Sequence, residues 1–129
     1  MSQPTAGGRC EVELTDEALQ DVKDLSPQDG SGEAKAARER LAIAVVRAAR
    51  EIEEHPWVGE PLRDDGQIKG IGELRKVRFD PDSKMPPSLR LVYLLTPPGE
   101  HPTKAQVVAI GKRHRMVVYR IAGRRMKER

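Results

Sequence analysis

The chemistry this sequence offers rests on a small set of cations and one tyrosine. Lys76 and Arg78 stand two apart in the alternating stretch Leu74-Arg-Lys-Val-Arg-Phe79. On a strand they share one face while Val77 and Phe79 share the other. Arg90 is the lone cation in the apolar run Ser88 to Leu95. Burying its charge without a partner is costly, so it borders solvent or waits for an anion. Arg113 follows Gly111 just past a third apolar run, Val107 to Ile110, flanked by Lys112 and Arg115, and Tyr119 closes the stretch. Cations past a buried strand end have a fixed backbone and heads in water, which suits gripping phosphates. If the three strands are neighbours, Lys76, Arg78, Arg90 and Arg113 converge on one concave patch with Tyr119 beside it. By spacing alone they are equally well ordinary solvated cations on an exposed sheet face.

The elements that must hold these residues follow from hydrophobic periodicity. Residues 1–9 read as a disordered lead-in and 10–129 as one domain. Cys10 to Leu14 alternates apolar with acidic residues, as a half-exposed strand does. Thr15 is placed to cap a helix with Asp16 and Glu17 in its first turn, Ala18, Val22 and Leu25 on its stripe, and Ser26-Pro27 as its stop. After a polar linker, Leu41, Val45, Ala48 and Ile52 mark a second helix from about residue 33 to 54, with Ile43 and Val46 widening its apolar face. His55 to Leu62, with two prolines and a glycine, ends it, and Trp57 and Leu62 are expected to tuck under the helical hairpin. Asp64 and Asp65 read as turn residues. Two proline-bearing loops, 80–88 and 96–103, separate the three strands, and Val117 to Lys127 reads as a short helix or a last strand turn. The expected fold is α+β: an N-terminal strand, a two-helix hairpin, then a three-stranded, mostly antiparallel run, with helices on one face and a basic second face.

Composition narrows the setting. One cysteine, Cys10, excludes an internal disulfide framework and fits a reducing cytoplasm. No apolar run is long enough to span a bilayer, and no secretory leader is read. His55, His101 and His114 are scattered without acidic or cysteine partners at ligand spacing, so neither a metal site nor a cofactor is expected. The net charge is only +3, but residues 1–60 hold 7 Lys and Arg against 13 Asp and Glu, and residues 61–129 hold 16 against 7. A polyanion-facing surface segregates charge in this way.

Gly59-Glu-Pro-Leu62, Leu74-Arg-Lys-Val-Arg-Phe79, Leu89-Arg-Leu-Val-Tyr93 and Ile110-Gly-Lys-Arg-His-Arg-Met-Val-Val-Tyr119 together resemble the RelE/ParE toxin superfamily. The resemblance spans nearly the whole chain after residue 9 and is carried by the ordered pair Leu-Arg-Leu-Val-Tyr and Gly-Lys-Arg…Tyr. It implies a RelE-like fold and the toxin of a type II toxin–antitoxin system. The RelE branch cleaves mRNA in the ribosomal A site with a basic pair on one strand, an arginine on the next, and a late arginine and tyrosine. Position by position these fall on Lys76, Arg78, Arg90, Arg113 and Tyr119. Lys112, His114 and Arg115 would then contact RNA. The implied partners are a cognate antitoxin with an acidic segment, the ribosome and mRNA, with no membrane. The ParE branch, which poisons DNA gyrase and generally lacks the full set, and a degenerate member that only binds its partner or RNA remain the alternatives. The sequence departs from the pattern in having Lys/Arg rather than two lysines on the strand pair, and in the length of loops 80–88 and 96–103.

The resemblance agrees with elementary chemistry. RNA carries its own nucleophile, the 2′-OH, so an enzyme must remove that proton, stabilise the charge on phosphorus and protonate the leaving 5′-oxygen. Neighbouring cations favour a neutral Lys76 as the base. The guanidinium forks of Arg78 and Arg90 match phosphate oxygens. Arg113 serves as a further clamp or as the acid, and Tyr119 offers a ring for a splayed base to stack on.

Overall fold

The computed structural model describes residues 10–62, 67–68, 72–97, 99–112 and 117–127. The expectations for the lead-in 1–9, for Asp64 and Asp65, and for Arg113, His114 and Arg115 lie outside the described residues. Strand β1 (Glu11–Leu14) leads into helices α1 (Asp16–Leu25) and α2 (Gly32–Glu54). Two short strands follow, β2 (Glu60–Pro61) and β3 (Gln67–Ile68). The long strands β4 (Gly72–Phe79), β5 (Leu89–Thr96) and β6 (Lys104–Lys112) precede the terminal helix α3 (Val117–Lys127). Both hairpin helices start where a hydroxyl can cap them: Thr15 accepts from Ala18 N and Ser31 from Ala34 N.

The sheet runs β1-β6-β5-β4-β2, with β3 pairing β4 off that path. The three long strands are antiparallel neighbours, as expected, while β1 joins the far edge parallel to β6 after the chain has crossed through the two helices. A bulge shapes β6. Ala109 pairs with Val92 and Val107 with Tyr93, which leaves Val108 as the extra residue. Val107 and Ile110 therefore join the core under α1 and α2, whereas Val108 and Ala109 join the core on the opposite face. That switch explains why the whole run is apolar.

Three expectations are corrected. The second face is not left to cations, because α3 packs on it: Val118, Tyr119, Ala122 and Met126 meet Leu62, Leu74, Val92, Leu94, Val108 and Ala109. Neither Trp57 nor Leu62 tucks under the hairpin: Leu62 is buried under α3, and Trp57 is 48% exposed. The turn through Pro56 carries it to the sheet edge, where the Arg75 guanidinium covers its ring at 5.0 Å. Ile43 and Val46 are about half exposed, so α2 buries only the narrow stripe Leu41, Val45, Ala48 and Ile52.

Where β1 ends at Leu14, α1 begins at once and the edge of β6 needs other partners. Asp21 accepts from Ile110 N at 3.0 Å and forms a two-pronged pair with Arg125, whose Nη1 also donates to Val108 O. This mostly buried pair closes the strand edge and ties α1, β6 and α3 together. The hydrogen bond to the Asp21 carboxylate also pushes the Arg125 pKa up. Among the described residues no helix is long and apolar enough to cross a membrane.

Candidate functional site

Strand parity and register put the basic residues in one strip. Lys76 and Arg78 leave β4 on the α3 side, opposite Val77 and Phe79, which join the hairpin core. Across the ladder, Arg78 is the direct partner of Arg90, and Arg90 is the direct partner of Gly111. Two like charges face each other there, at a cost that a purely structural sheet would avoid. Gly111 lies under the first turn of α3: a Cβ there would stand 3.2 Å from the Val118 side chain, a tight contact that glycine avoids. Lys112 is exposed at the end of β6.

The residues of the strip differ in their surroundings. The Lys76 ammonium stands 5.1 Å from the centroid of the Tyr119 ring. Tyr119 is only 7% exposed and belongs to the α3 core, so little of its ring is open to a base. It instead presents a negative aromatic face to the Lys76 cation. Arg90 is 4% exposed, and its Nη1 donates to the carbonyls of Pro87 and Leu89, each at 2.9 Å. Arg78 is half exposed. The structure thus brings Lys76, Arg78, Arg90 and Tyr119 together.

Glu60 is the member that the sequence reading missed. It lies opposite Lys76 in the β2–β4 pair, and its carboxylate is 3.5 Å from Arg78. The signal was present in Gly59-Glu-Pro-Leu62, and the fold explains each residue of that motif. A Cβ at Gly59 would come within 2.8 Å or less of the Tyr93 side chain and Lys76 O, so only glycine fits. The Tyr93 hydroxyl accepts from Gly59 N at 2.9 Å and donates to Pro56 O at 2.8 Å. Burial pushes that hydroxyl's pKa up, which keeps it a donor at neutral pH. Pro61 takes an edge position where its missing N–H does no harm, and Leu62 enters the α3 core. Tyr93, rooted in the hairpin core, thereby holds the turn that delivers Glu60 to the strip. Because the Arg78–Glu60 pair is exposed on both sides, it contributes little to stability.

This combination of a helical hairpin on one side of an antiparallel sheet, an N-terminal strand added in parallel and a terminal helix on the second face is the RelE-like toxin fold. The chain is similar to the toxin RelE of E. coli, solved as a mutant in the free state, with 19% identity over 92% of this chain and 98% of that one and a TM-score of 0.53. It is also similar to a chain of the toxin–antitoxin complex RelBE2 from Mycobacterium tuberculosis, at 24% identity over 81% of this chain and 99% of that one, with a TM-score of 0.51. The likeness is one of fold. The sequence matches no protein-family model and no curated protein.

Proposed function

We propose that this chain is the toxin of a toxin–antitoxin pair and acts as a ribosome-dependent endoribonuclease on mRNA. The observation that carries the reading is the convergence of Lys76, Arg78 and Arg90 on one strip. It is supported by a fold shared with RelE and with a chain of a toxin–antitoxin complex. In the reaction the 2′-oxygen attacks the adjacent phosphorus and gives up its proton, the P–O5′ bond breaks, and the 5′-oxygen receives a proton, leaving a 2′,3′-cyclic phosphate. Arg78 and Arg90 present guanidinium forks to the phosphoryl oxygens, whose charge grows in the transition state. Lys76, steadied over Tyr119, adds a point charge. Glu60 is the acceptor better suited to the 2′-proton, since a carboxylate ordinarily carries no proton at neutral pH whereas a lysine ammonium has no free lone pair to accept one. Arg113 is the last clamp or the proton donor, and Lys112, His114 and Arg115 hold flanking phosphates. A cognate antitoxin neutralises the strip with an acidic segment.

Single-turnover cleavage of mRNA on programmed ribosomes tests this reading, beside free mRNA and a DNA gyrase supercoiling assay. Cleavage is expected only with ribosomes. It should be lost on Arg113→Ala or Glu60→Gln without loss of the folded state. Inhibition of gyrase with intact mRNA would overturn the proposal in favour of a gyrase-binding toxin.

A further inference from the structure

The loop joining β4 to β5 is longer than a strand connection requires, and it ends beside Arg90. Its two ends are closed by one carboxylate. Asp80 accepts from Asp82 N at 2.8 Å, from Ser88 N at 3.0 Å and from the Ser88 hydroxyl. On its outer side the loop is moored to α2 through the Arg40–Asp82 pair at 2.9 Å. Pro87, next to the clamped Ser88, supplies a carbonyl to Arg90 Nη1, and Leu89 supplies the other. A chain of contacts therefore runs from α2 through Asp82, Asp80 and Ser88 to the Arg90 guanidinium.

This chain answers a physical problem at the strip. Arg78 and Arg90 are direct cross-strand partners, and like charges in that relation repel. Left free, a long guanidinium would swing away into water. Arg90 is instead 4% exposed, held by carbonyl oxygens alone, and no carboxylate neutralises it among the described residues. A buried guanidinium held in place by carbonyl oxygens beside a half-exposed Arg78 is pre-organised for an anion. We propose that Asp80, acting through the 80–88 loop, is the positioning residue that holds Arg90 as a phosphate ligand. The proposal rests on the reading of the strip as an RNA-binding site.

A sign test separates positioning from charge. The probe is a 2′-O-methyl oligoribonucleotide, which binds without being cut, titrated against the full-length protein across a salt series. By charge alone, removing a carboxylate beside a cationic strip tightens RNA binding. Positioning demands the reverse. Asp80→Ala should weaken binding roughly 3–10-fold and lower the slope of log K against log salt by about 0.7, the loss of one phosphate contact, as Arg90→Ala should. In an Arg90→Ala background, adding Asp80→Ala should change nothing more. Asp80→Asn keeps the side-chain shape and one acceptor oxygen, should give an intermediate loss, and serves where Asp80→Ala does not fold. Tighter binding by either Asp80 variant, or an equal further loss in the Arg90→Ala background, would overturn the proposal. Cleavage on programmed ribosomes is scored separately. A wild-type chain that binds the oligonucleotide but cuts no mRNA would remove the ribonuclease reading and leave the positioning result intact. A wild-type chain that cuts, beside Asp80 variants that bind as it does, would remove positioning alone. A wild-type chain with no affinity for RNA would remove both.

Discussion

On the hairpin side of the sheet, Leu91, Tyr93, Leu95 and Val107 pack against Leu41, Val45 and Ile52. On the other side, Val92, Leu94 and Val108 pack under α3, but Lys76, Arg78 and Arg90 occupy the same side of the same strands. Alternate residues of β4 and β5 thus serve opposite purposes. The hairpin covers its face with the apolar stripe Leu41, Val45, Ala48 and Ile52 and leaves the one cation of β4 on that side, Arg75, to the edge beside Trp57. Helix α3 has eleven residues and covers a smaller core, while the rest of its face holds a row of opposed cations. The comparison teaches that stability is concentrated on one face so that the other can carry electrostatic repulsion.

Substitutions on the two faces should therefore fail differently. Leu91→Ala removes a fully buried side chain from the hairpin core and should cost about 3–5 kcal/mol of stability, read as a lowered thermal midpoint. A cost as small as that of a surface change would break the comparison. Arg78→Ala, on the opposite side of the neighbouring strand, should leave stability within about 0.5 kcal/mol. It should slow cleavage on programmed ribosomes 100- to 1000-fold, a barrier change of about 3–4 kcal/mol. A large loss of stability with undiminished cleavage would reverse the roles assigned to the two faces.

Asp21→Ala sharpens the comparison, because Asp21 belongs to the hairpin yet holds α3. It leaves Ile110 N without its acceptor and Arg125 without its carboxylate, so about 2–3 kcal/mol of stability should be lost in a denaturant titration. Amide exchange should speed up in α3 as well as α1, whereas loosening confined to α1 would show that the pair does not join the faces. The smallest effect concerns the loop under Arg90. Hydrogen bonds from Ser88 and Asp82 lower the Asp80 carboxyl from 3.8 to about 2. A depressed carboxyl stabilises the fold above its unfolded value and loses that contribution as pH falls through its folded value. The melting temperatures of the wild type and Asp80→Asn should therefore differ most above about pH 4 and converge toward pH 2. A constant difference across that range would show that the carboxylate is not what closes the loop.

Much of this was legible because it is local. Thr15 capping Asp16–Leu25, the stripe Leu41, Val45, Ala48 and Ile52, and the alternation around Val77 and Phe79 each follow from spacing within one element. The shared side of Lys76 and Arg78 follows from parity alone. Trp57, Ile43 and Val46 misled for the opposite reason: each is apolar and adjacent to a buried neighbour, but its burial depends on where the next element lies. Glu60 was passed over because an acidic residue beside a proline looks like a turn until strand pairing sets it opposite Lys76.

By itself the sequence determined the order and kind of the main elements, the segregation of charge toward the second half and the shared face of Lys76 and Arg78, since these depend on residue type and on the fixed periods of helix and strand. Only the tertiary structure decided which residues became partners. The cross-strand register sets Arg78 against Arg90, the bulge at Val108 divides one apolar run between two cores, and α3 turns Tyr119 from a free ring into a support for Lys76. Contacts of this kind join residues far apart in the chain, and packing, not local preference, selects among the arrangements the sequence allows.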